Sequence, residues 1–367
     1  MPIPLDHVGL KRSSTALIVG MLYYRKDLAN HPSAALRSPI VQQHAKDAGA
    51  VAVNPRAMPN QQDINDYYSA SKLDYQLYNL RADNLSMHYG IWGDAVHSHR
   101  EALLNENRVV ADLAGLSRVD NVIDLGCGYG ASAVWLAGQI GCHVLGITLS
   151  QEQIDQAESL ATKRHVRHLV GFRRMDYHNV ALPARTFDVA IAIESIAHSS
   201  RKSQVLAEAY RLLKPGGRIV IADGFFGKPI VELTERELAL ANACFAGVHV
   251  PPLPERYEFE EWLTKAGFSA IRWCEKTQQI LPTARRVNRL GRLLMPVSKV
   301  LSLIGSRALN PAHMRAFIDQ YYAFRDGVGI YGLYFARKPT ATARPPRLAE
   351  QHQLERQAST ISSRPGV

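Results

Sequence analysis

A glycine-rich turn and an acidic residue stand together in "VIDLGCGYGASAVWLAGQI", residues 122–140. Gly126, Gly128 and Gly130 follow an apolar run that contains Asp124 near its end. Glycine permits a positive φ and lets the backbone approach a ligand closely. The Asp124 carboxylate is placed to bind a cationic ammonium group. Alone, the turn is a weak signal, because any tight connection from a strand to a helix can use glycine.

The spacing of these glycines argues against two common nucleotide sites. The dinucleotide fingerprint GxGxxG would place its third glycine at position 131, which is Ala131 here. A Walker loop needs Lys followed by Ser or Thr after the glycines, and neither pair follows them. The turn therefore predicts neither an NAD site nor a Walker-type phosphate site.

A second acidic residue, Glu194, ends the apolar run "FDVAIAIE", and His198 follows shortly after it. Burying a carboxylate costs free energy unless it is paired, so its place at a strand end suggests a purpose. Glu194 is a candidate general base, and His198 is a second candidate catalytic residue. The alternatives are that Glu194 binds a backbone amide or a ligand, and that His198 begins a helix or packs.

The elements that would position these residues alternate between strands and helices. Apolar β-branched runs separated by helical patterns are typical of a doubly wound α/β sheet. Ligands of such sheets bind at the carboxyl ends of the strands. Strands are predicted from Asn121, His143, Val170, Phe187 and Arg218, with a last one ending at Lys338, and helices from about Ala131, Gln151, Arg201 and Tyr257.

Composition and patterning bound the class of protein. Of 367 residues, 46% are hydrophobic and 21% are charged, which suffices for a buried core. The four cysteines lie apart without metal-ligand spacing, so we expect no metal site and a reducing, cytoplasmic location. The apolar run at residues 13–24 is too short to span a membrane.

The sequence predicts four segments. Residues 1–60 form a poorly ordered extension and residues 61–118 a helical lid. Residues 119–339 form the α/β domain, with a helical insertion at 277–327 before the last strand. Residues 340–367 carry almost no large apolar side chains and are expected to be a disordered tail.

Several segments, in order, resemble the class I S-adenosylmethionine-dependent methyltransferases. They are "VIDLGCGYG", "GITLSQEQI", "RMDYHNVALPARTFDVAIAIESIAHS", "EAYRLLKPGGRIVIAD" and "DGVGIYGLYFARK". The resemblance runs from about Tyr67 to Lys338. It is nearest to the sterol and tocopherol C-methyltransferases and looser to bacterial prenyl diphosphate C-methyltransferases. It implies a Rossmann-like class I methyltransferase sheet with helices on both faces, and S-adenosyl-L-methionine as cofactor.

The resemblance also implies a set of cofactor contacts. Asp176 and Tyr177 would flank the adenine, and Asp124 would pair with the ammonium group. Thr148 stands where many members of the family carry an acidic residue for the ribose, so neutral groups must hold it here. Ser150 is an alternative ribose contact, or only the cap of the helix from Gln151. The expected cofactor-binding residues are Asp124, Gly126, Cys127, Gly128, Thr148, Gln153, Asp176 and Tyr177.

Aromatic residues cluster outside the sheet, where related enzymes carry a lid over the acceptor. An aromatic lid favours an apolar acceptor over a sugar or a nucleic acid. The alternative is that these rings pack in the core. The expected acceptor-binding residues are Tyr67, Tyr89, Trp92, Phe225, Tyr321 and Tyr322.

Basic residues concentrate in the insertion. The stretch from Thr283 to Ile318 contains seven Arg and Lys residues and no Asp or Glu, in a chain of formal net charge +10. Its first bases are Arg285, Arg286, Arg289 and Arg292. They predict contact with an anionic lipid at a membrane surface or with a diphosphate, and a solvated helix face is the alternative. We expect no nucleic-acid partner, and homo-oligomers are left open.

These features together favour methyl transfer from S-adenosylmethionine to a carbon of an isoprenoid or related lipophilic molecule. Methylation of an alkene leaves a carbocation that must lose a proton, and Glu194 is the candidate base. A natural-product N- or O-methyltransferase with the same cofactor site is the main alternative. A cofactor-sensing binding protein is the alternative outside enzymology.

Overall fold

The computed structural model describes residues 86–248, 250–304 and 309–340. It divides into two units. The sheet unit comprises the described parts of Tyr75–Phe225, Arg256–Ala284 and Ile330–Val367. The helical unit comprises the described parts of Phe226–Glu255 and Arg285–Gly329. No helix within the described residues is both long and apolar enough to cross a membrane.

The described residues contain seven strands: β1 Asn121–Leu125, β2 His143–Thr148, β3 Val170–Arg174, β4 Phe187–Ile193, β5 Leu213–Phe226, β6 Ser269–Glu275 and β7 Gly329–Arg337. They form one sheet in the order β3-β2-β1-β4-β5-β7-β6. The pairs β1–β2, β1–β4, β2–β3 and β4–β5 are parallel, and β7 is antiparallel to β6. The predicted α/β sheet is confirmed, and β1 and β4 are neighbours in it.

Eight α-helices lie within the described residues: α1 His99–Ala114, α2 Ala131–Ile140, α3 Gln151–Lys163, α4 Lys202–Leu212, α5 Glu235–Gly247, α6 Arg256–Lys265, α7 Thr277–Leu303 and α8 Pro311–Arg325. Local sequence sets their ends: Ser98 accepts a hydrogen bond from the Glu101 amide at the start of α1, and Gly115 ends it in the left-handed region. The predicted starts of α2 and α3 are confirmed.

The fifth strand begins earlier than the sequence predicts. β5 starts at Leu213 rather than Arg218, because Phe187 pairs with Leu213 before an irregularity in β4. Regular parallel pairing then begins at Val189 and Arg218. The Pro-Gly-Gly segment, residues 215–217, lies inside β5, and Gly216 has a positive φ of 81° there.

An aromatic cluster fills the core of the sheet unit beside β5. The Phe225 ring makes edge-on contacts with Phe259, Trp273 and Tyr334 at centroid distances of 5.1, 5.2 and 5.5 Å. Phe225 is 1% exposed. The structure therefore places Phe225 among core side chains rather than in the acceptor pocket that the sequence suggested.

Close backbone contacts hold the helical unit together. A Cβ on Gly247 of α5 would lie 2.5 Å from the Ala316 Cβ of α8. A Cβ on Gly291 of α7 would lie 2.9 Å from the Met314 carbonyl oxygen of α8. Asn288 Nδ2 of α7 donates to the Ile318 carbonyl at 2.8 Å. One face of α7 is thus fixed against α8.

Candidate active site

The glycine turn after β1 separates positions that serve packing from a position that does not. A Cβ on Gly126 would lie 2.5 Å from the Ser195 Cβ, and one on Gly130 would lie 2.6 Å from the Ala157 Cβ. Gly128 has φ 51°, yet a Cβ there would come no nearer than 4.0 Å to a neighbour, Met87 Sδ. Gly126 and Gly130 are required by the protein's own packing. Gly128 borders open space that a ligand can fill.

Cys127 is held between these glycines. Its amide donates to the Ile147 carbonyl at 2.9 Å, as does that of Gly126 at 3.0 Å. Its thiol donates a weak hydrogen bond to the Gly128 carbonyl at 3.7 Å, and burial raises the pKa of the thiol. The side chain therefore packs inward, and its contribution to a ligand would come from the backbone.

Asp124 is a buried carboxyl group without compensation. The residue is 2% exposed, and its Oδ2 has no hydrogen-bond partner among the described residues. Burial raises the pKa of Asp124 to about 7. A buried anion of this kind is stabilised by a cationic partner. The ammonium group expected of the cofactor fits this position.

Gln153, at the start of α3, presents an oriented amide. Thr148 Oγ1, at the end of β2, donates to Gln153 Oε1 at 2.6 Å. Because the oxygen of the amide is occupied, its nitrogen can donate to a hydroxyl group such as those of a ribose. Ser150 Oγ accepts from the Gln153 amide at 3.3 Å, so Ser150 caps α3.

The segment after β3 is tied to the segment after β4. Asp176 Oδ1 lies 2.6 Å from His178 Nδ1, and His178 Nε2 lies 2.7 Å from Ser199 Oγ. Tyr177 Oη donates to the Ser195 carbonyl at 3.2 Å. Burial raises the pKa of Asp176, but hydrogen bonds from His178 outweigh it and the net shift is downward. The sequence predicted cofactor contacts for Asp176 and Tyr177, but it did not point to His178 and Ser199, which form hydrogen bonds in the same segment.

Glu194 follows β4 in a strained conformation. Its φ is 48°, a left-handed value that costs a residue with a side chain roughly 1 to 3 kcal/mol. Its amide donates to the Ala222 carbonyl at 2.8 Å, so the main chain is fixed. Its side chain is partly buried, and Oε1 accepts from the Tyr89 amide at 2.7 Å. Strain of this kind recurs at functional sites.

Tyr331 of β7 links a second carboxyl group, that of Glu106, to Glu194. Tyr331 Oη lies 2.6 Å from Glu106 Oε1 and 2.9 Å from Glu194 Oε1. Glu106, on α1, is fully buried, and its Oε2 accepts from the Gly90 amide at 2.9 Å and lies 2.7 Å from His88 Nδ1. A phenol carries one proton, so both contacts can be hydrogen bonds only if one carboxyl group is protonated.

The surroundings decide which carboxyl group holds that proton. Burial and the charge of Glu106 raise the pKa of Glu194 well above its ordinary value, against the hydrogen bonds from Tyr89 and Tyr331. Burial also raises the pKa of Glu106, but contact with His88 and the hydrogen bonds from Tyr331 and Gly90 reverse the shift. The resting arrangement is therefore a neutral Glu194 beside an ionised Glu106.

Glu106 and Tyr331 are the functional candidates that sequence reasoning missed. Glu106 has helical spacing with the buried Leu103 and Val110, so it is an acidic residue on an apolar face of α1. Tyr331 is a hydroxyl-bearing residue inside the buried strand "GIYGLYFAR". A polar side chain at a core position of each element was the available signal.

His198 lies in a short 3-10 helix, Ile196–His198, and is partly buried. Asp223 fixes this helix, because its Oδ2 accepts from the Ala197 amide at 2.9 Å. Burial raises the pKa of Asp223 to about 6. Asp223 also adds to the upward shift in the pKa of Glu194.

The expected acceptor residues are distributed unevenly. The Tyr89 ring meets the Tyr331 ring edge-on at 5.9 Å, beside Glu194. Trp92 Nε1 donates to Thr283 Oγ1 at 2.8 Å, which ties the segment before α1 to the first part of α7. Tyr321 and Tyr322 lie on α8 in the helical unit. Tyr67 lies outside the described residues, as do residues 61–85 of the predicted lid.

Comparison with known proteins finds a consistent family. A family model described as "Methyltransferase domain" matches residues 123–221. The chain is 30% identical over 193 residues to the O-methyltransferase rstn1 of Aspergillus nomiae, covering 52% of this chain and 83% of that protein. It is 27% identical over 213 residues to a sterol 24-C-methyltransferase of Candida albicans, covering 56% of this chain and 55% of that protein. The chain thus spans about half the length of this sterol relative.

A solved structure shares the fold. A geranyl diphosphate C-methyltransferase from Streptomyces coelicolor, in complex with S-adenosyl-L-homocysteine, superimposes with a TM-score of 0.58. Its sequence identity is 21%, and the alignment covers 77% of this chain and 99% of that one. This similarity supports the Rossmann-like sheet described above.

Proposed function

Because the chain belongs to the class I S-adenosylmethionine-dependent methyltransferases, we propose that it methylates a carbon atom of an isoprenoid or related lipophilic molecule, with Glu194 as the base. The observation that carries this proposal is Glu194 itself. It is partly accessible, conformationally strained, and connected through Tyr331 to a second carboxyl group. A reaction without proton removal would need none of these features.

The cofactor is S-adenosylmethionine, which supplies the methyl group when bound. Asp124 would hold its ammonium group, and the Gln153 amide would donate to its ribose. Asp176 and Tyr177 would border the adenine, and the backbone from Gly126 to Gly128 would pass close to the ligand. The unpaired buried oxygen of Asp124 and the open space at Gly128 support this assignment.

Proton removal completes carbon methylation. The alkene carbon would form the new C–C bond to the methyl group as the C–S bond of the sulfonium breaks, with that electron pair left on sulfur and positive charge left on the neighbouring carbon. The Glu194 carboxylate then takes a proton from the adjacent C–H bond, whose electron pair becomes the new double bond. The rings of Tyr89 and Tyr331 would stabilise the cation before this step.

Glu194 must be ionised to act as this base. In the resting arrangement its proton can pass to the Tyr331 oxygen while the Tyr331 proton passes to Glu106. This double shift leaves Tyr331 neutral, protonates Glu106 and moves the negative charge to Glu194. The two short oxygen contacts of Tyr331 support the route.

The isoprenoid assignment rests on the sterol C-methyltransferase among the relatives and on the aromatic residues near Glu194.

The diphosphate assignment rests on arginines of the helical unit. Arg285 lies over the Tyr321 ring at 5.8 Å and Arg292 over the Tyr322 ring at 5.8 Å. Stacked guanidinium groups suit a phosphate ligand, so we propose that these two contact a diphosphate when the acceptor carries one.

O-methyl transfer is a second candidate, favoured by the O-methyltransferase relative. Glu194 would then remove the proton of an acceptor hydroxyl. N-methyl transfer would depend less on Glu194 as a base. A binding protein without turnover would form no S-adenosylhomocysteine with any acceptor. We propose that the protein acts in the cytoplasm.

The test uses cofactor labelled with ¹³C in the methyl group and a panel of prenyl diphosphates, sterols and lipid extracts. We expect a product whose labelled carbon shows coupling to carbon neighbours and the shift of a C-methyl group. A label bonded to oxygen or nitrogen would contradict carbon methylation. The Glu194→Gln variant is the matched control, and we expect it to form little product.

A further inference from the structure

An apolar stripe runs along the exposed face of α7 in its second half. Leu293, Val297 and Val300 lie on this face, and Ile304 directly follows the helix. Their exposed fractions are between 48% and 74%. Spacings of three and four residues place them above one another on a single side of the helix. Side chains of this type in this number are unusual on a surface in contact only with water.

The same face is basic in its first half. Arg286 and Arg289 are exposed on this face, and Lys299 is exposed further along the helix. Arg285 and Arg292 are exposed along its edge, where they lie over Tyr321 and Tyr322 of α8. The sequence of α7 contains no Asp or Glu. The other face of the helix is already used, because Asn288 and Gly291 pack on α8. The exposed face thus combines an apolar stripe with several positive charges along a helix that itself contains no Asp or Glu.

We propose that this face of α7 lies in the surface of a bilayer that contains anionic lipids. Leu293, Val297, Val300 and Ile304 would enter the boundary of the acyl chains, and Arg286 and Arg289 would contact lipid phosphates. Two copies of the chain would bring like-charged faces together. A nucleic acid would leave the apolar stripe without a partner. An anionic membrane alone satisfies both halves of the face.

Docking would bring the protein to the phase in which a lipophilic acceptor dissolves. This consequence rests on the proposed function, whereas membrane docking itself does not. The Glu194→Gln variant should therefore bind vesicles as the unchanged protein does. Failure of the chemistry and failure of the docking are then observed separately.

The test is co-sedimentation of the full chain with vesicles of phosphatidylcholine, with and without phosphatidylserine. We expect binding only to the anionic vesicles, and weaker binding as salt rises. Arg286→Gln with Arg289→Gln should weaken binding about 25-fold, because each basic residue contributes roughly fivefold at an anionic surface. Leu293→Ser, Val297→Ser and Val300→Ser together should weaken it at least about tenfold.

The matched control is Arg118→Gln with Val119→Ser, which removes an exposed base and an exposed apolar residue from the sheet unit. This control should bind like the unchanged protein. Equal binding of both α7 variants, or no preference for anionic vesicles, would overturn the proposal. So would a dimer that the apolar variant converts to a monomer while vesicles bind neither protein, since the face would then be an interface between copies.

Discussion

Glu106 and Glu194 approach the same hydroxyl group, that of Tyr331, at oxygen distances of 2.6 and 2.9 Å. The two residues are far apart in the chain, on α1 and after β4. A phenol can donate its one proton to only one carboxylate, so one of the two carboxyl groups must itself carry a proton. Burial and the repulsion between the two groups raise the pKa of Glu194 and place that proton on it. The base therefore rests protonated and must be ionised before it can act.

Removal of the second carboxylate should change the pH dependence of activity. The ionised form of Glu194 is the active one, so kcat/KM should rise with pH through the pKa of Glu194. In Glu106→Gln the repulsion that raises this pKa is gone, and the rising limb should move to lower pH. The plateau kcat should change by less than about twofold, because above this pKa Glu194 is already ionised and no proton has to pass to Glu106.

Tyr331→Phe provides the opposite test on the same network. The Tyr331 hydroxyl favours the ionised form of Glu194, so its loss should move the rising limb to higher pH. Steady-state kinetics from pH 5 to 9 measure both limbs. Movement of both variants in the same direction would mean that Glu194 does not govern this limb.

Asp124→Asn should stabilise the ligand-free protein while weakening the cofactor. The folded pKa of Asp124 is about 7, above the ordinary value of 3.8, so its ionisation destabilises the fold as pH rises through this range. At pH 8 the variant should gain up to about 4 kcal/mol of unfolding free energy, at about 1.4 kcal/mol per pKa unit. Its cofactor affinity should fall about 10- to 100-fold. A melting temperature unchanged or lowered at pH 8 would show that Asp124 is not an uncompensated charge.

Cofactor affinity should depend on pH through the same residue. Only ionised Asp124 attracts the ammonium group, so Kd should rise about tenfold for each pH unit below 7 and level off just above it, where the ammonium group is still protonated. Calorimetric titrations at several pH values measure this slope. Asp124→Asn is the control, and its Kd should be flat over the range.

Two glycine substitutions should separate packing from ligand contact. Gly130→Ala places a carbon 2.6 Å from the Ala157 Cβ and should lower stability by about 2 to 4 kcal/mol. Gly128→Ala meets no such neighbour and should cost only the roughly 1 to 2 kcal/mol of a left-handed residue. It should nevertheless remove most cofactor binding. An unchanged Kd for Gly128→Ala would mean that the ligand does not pass this backbone.

The sheet and its glycine turn were predictable because their signals are local. The apolar runs that end at Asp124 and Glu194 are continuous in sequence, and β1 and β4 take shape as those runs predict. The start of β5 was not predictable, because Leu213 joins the strand through pairing with Phe187 of another strand. Phe225 was misleading because an aromatic residue near the end of a strand suits a lid and a core equally well.

The proton-sharing pair could not be predicted from spacing. Glu106 and Tyr331 are separated by 225 positions, and only the folded chain brings them to Glu194. The different roles of the three glycines in the turn also depend on residues far away in the sequence. Ser195 leaves no room for a side chain at Gly126, and Ala157 leaves none at Gly130, whereas Gly128 lies beside open space.

Glu194→Gln separates catalysis from binding most directly, because it keeps the size of the side chain and removes the base. Turnover should be measured with the identified acceptor, and cofactor Kd by calorimetry on the same preparation. We predict that kcat falls about 100- to 10,000-fold while Kd changes by less than about twofold. Full turnover in this variant, or a loss of cofactor affinity in proportion to activity, would contradict the assignment of Glu194 as the base.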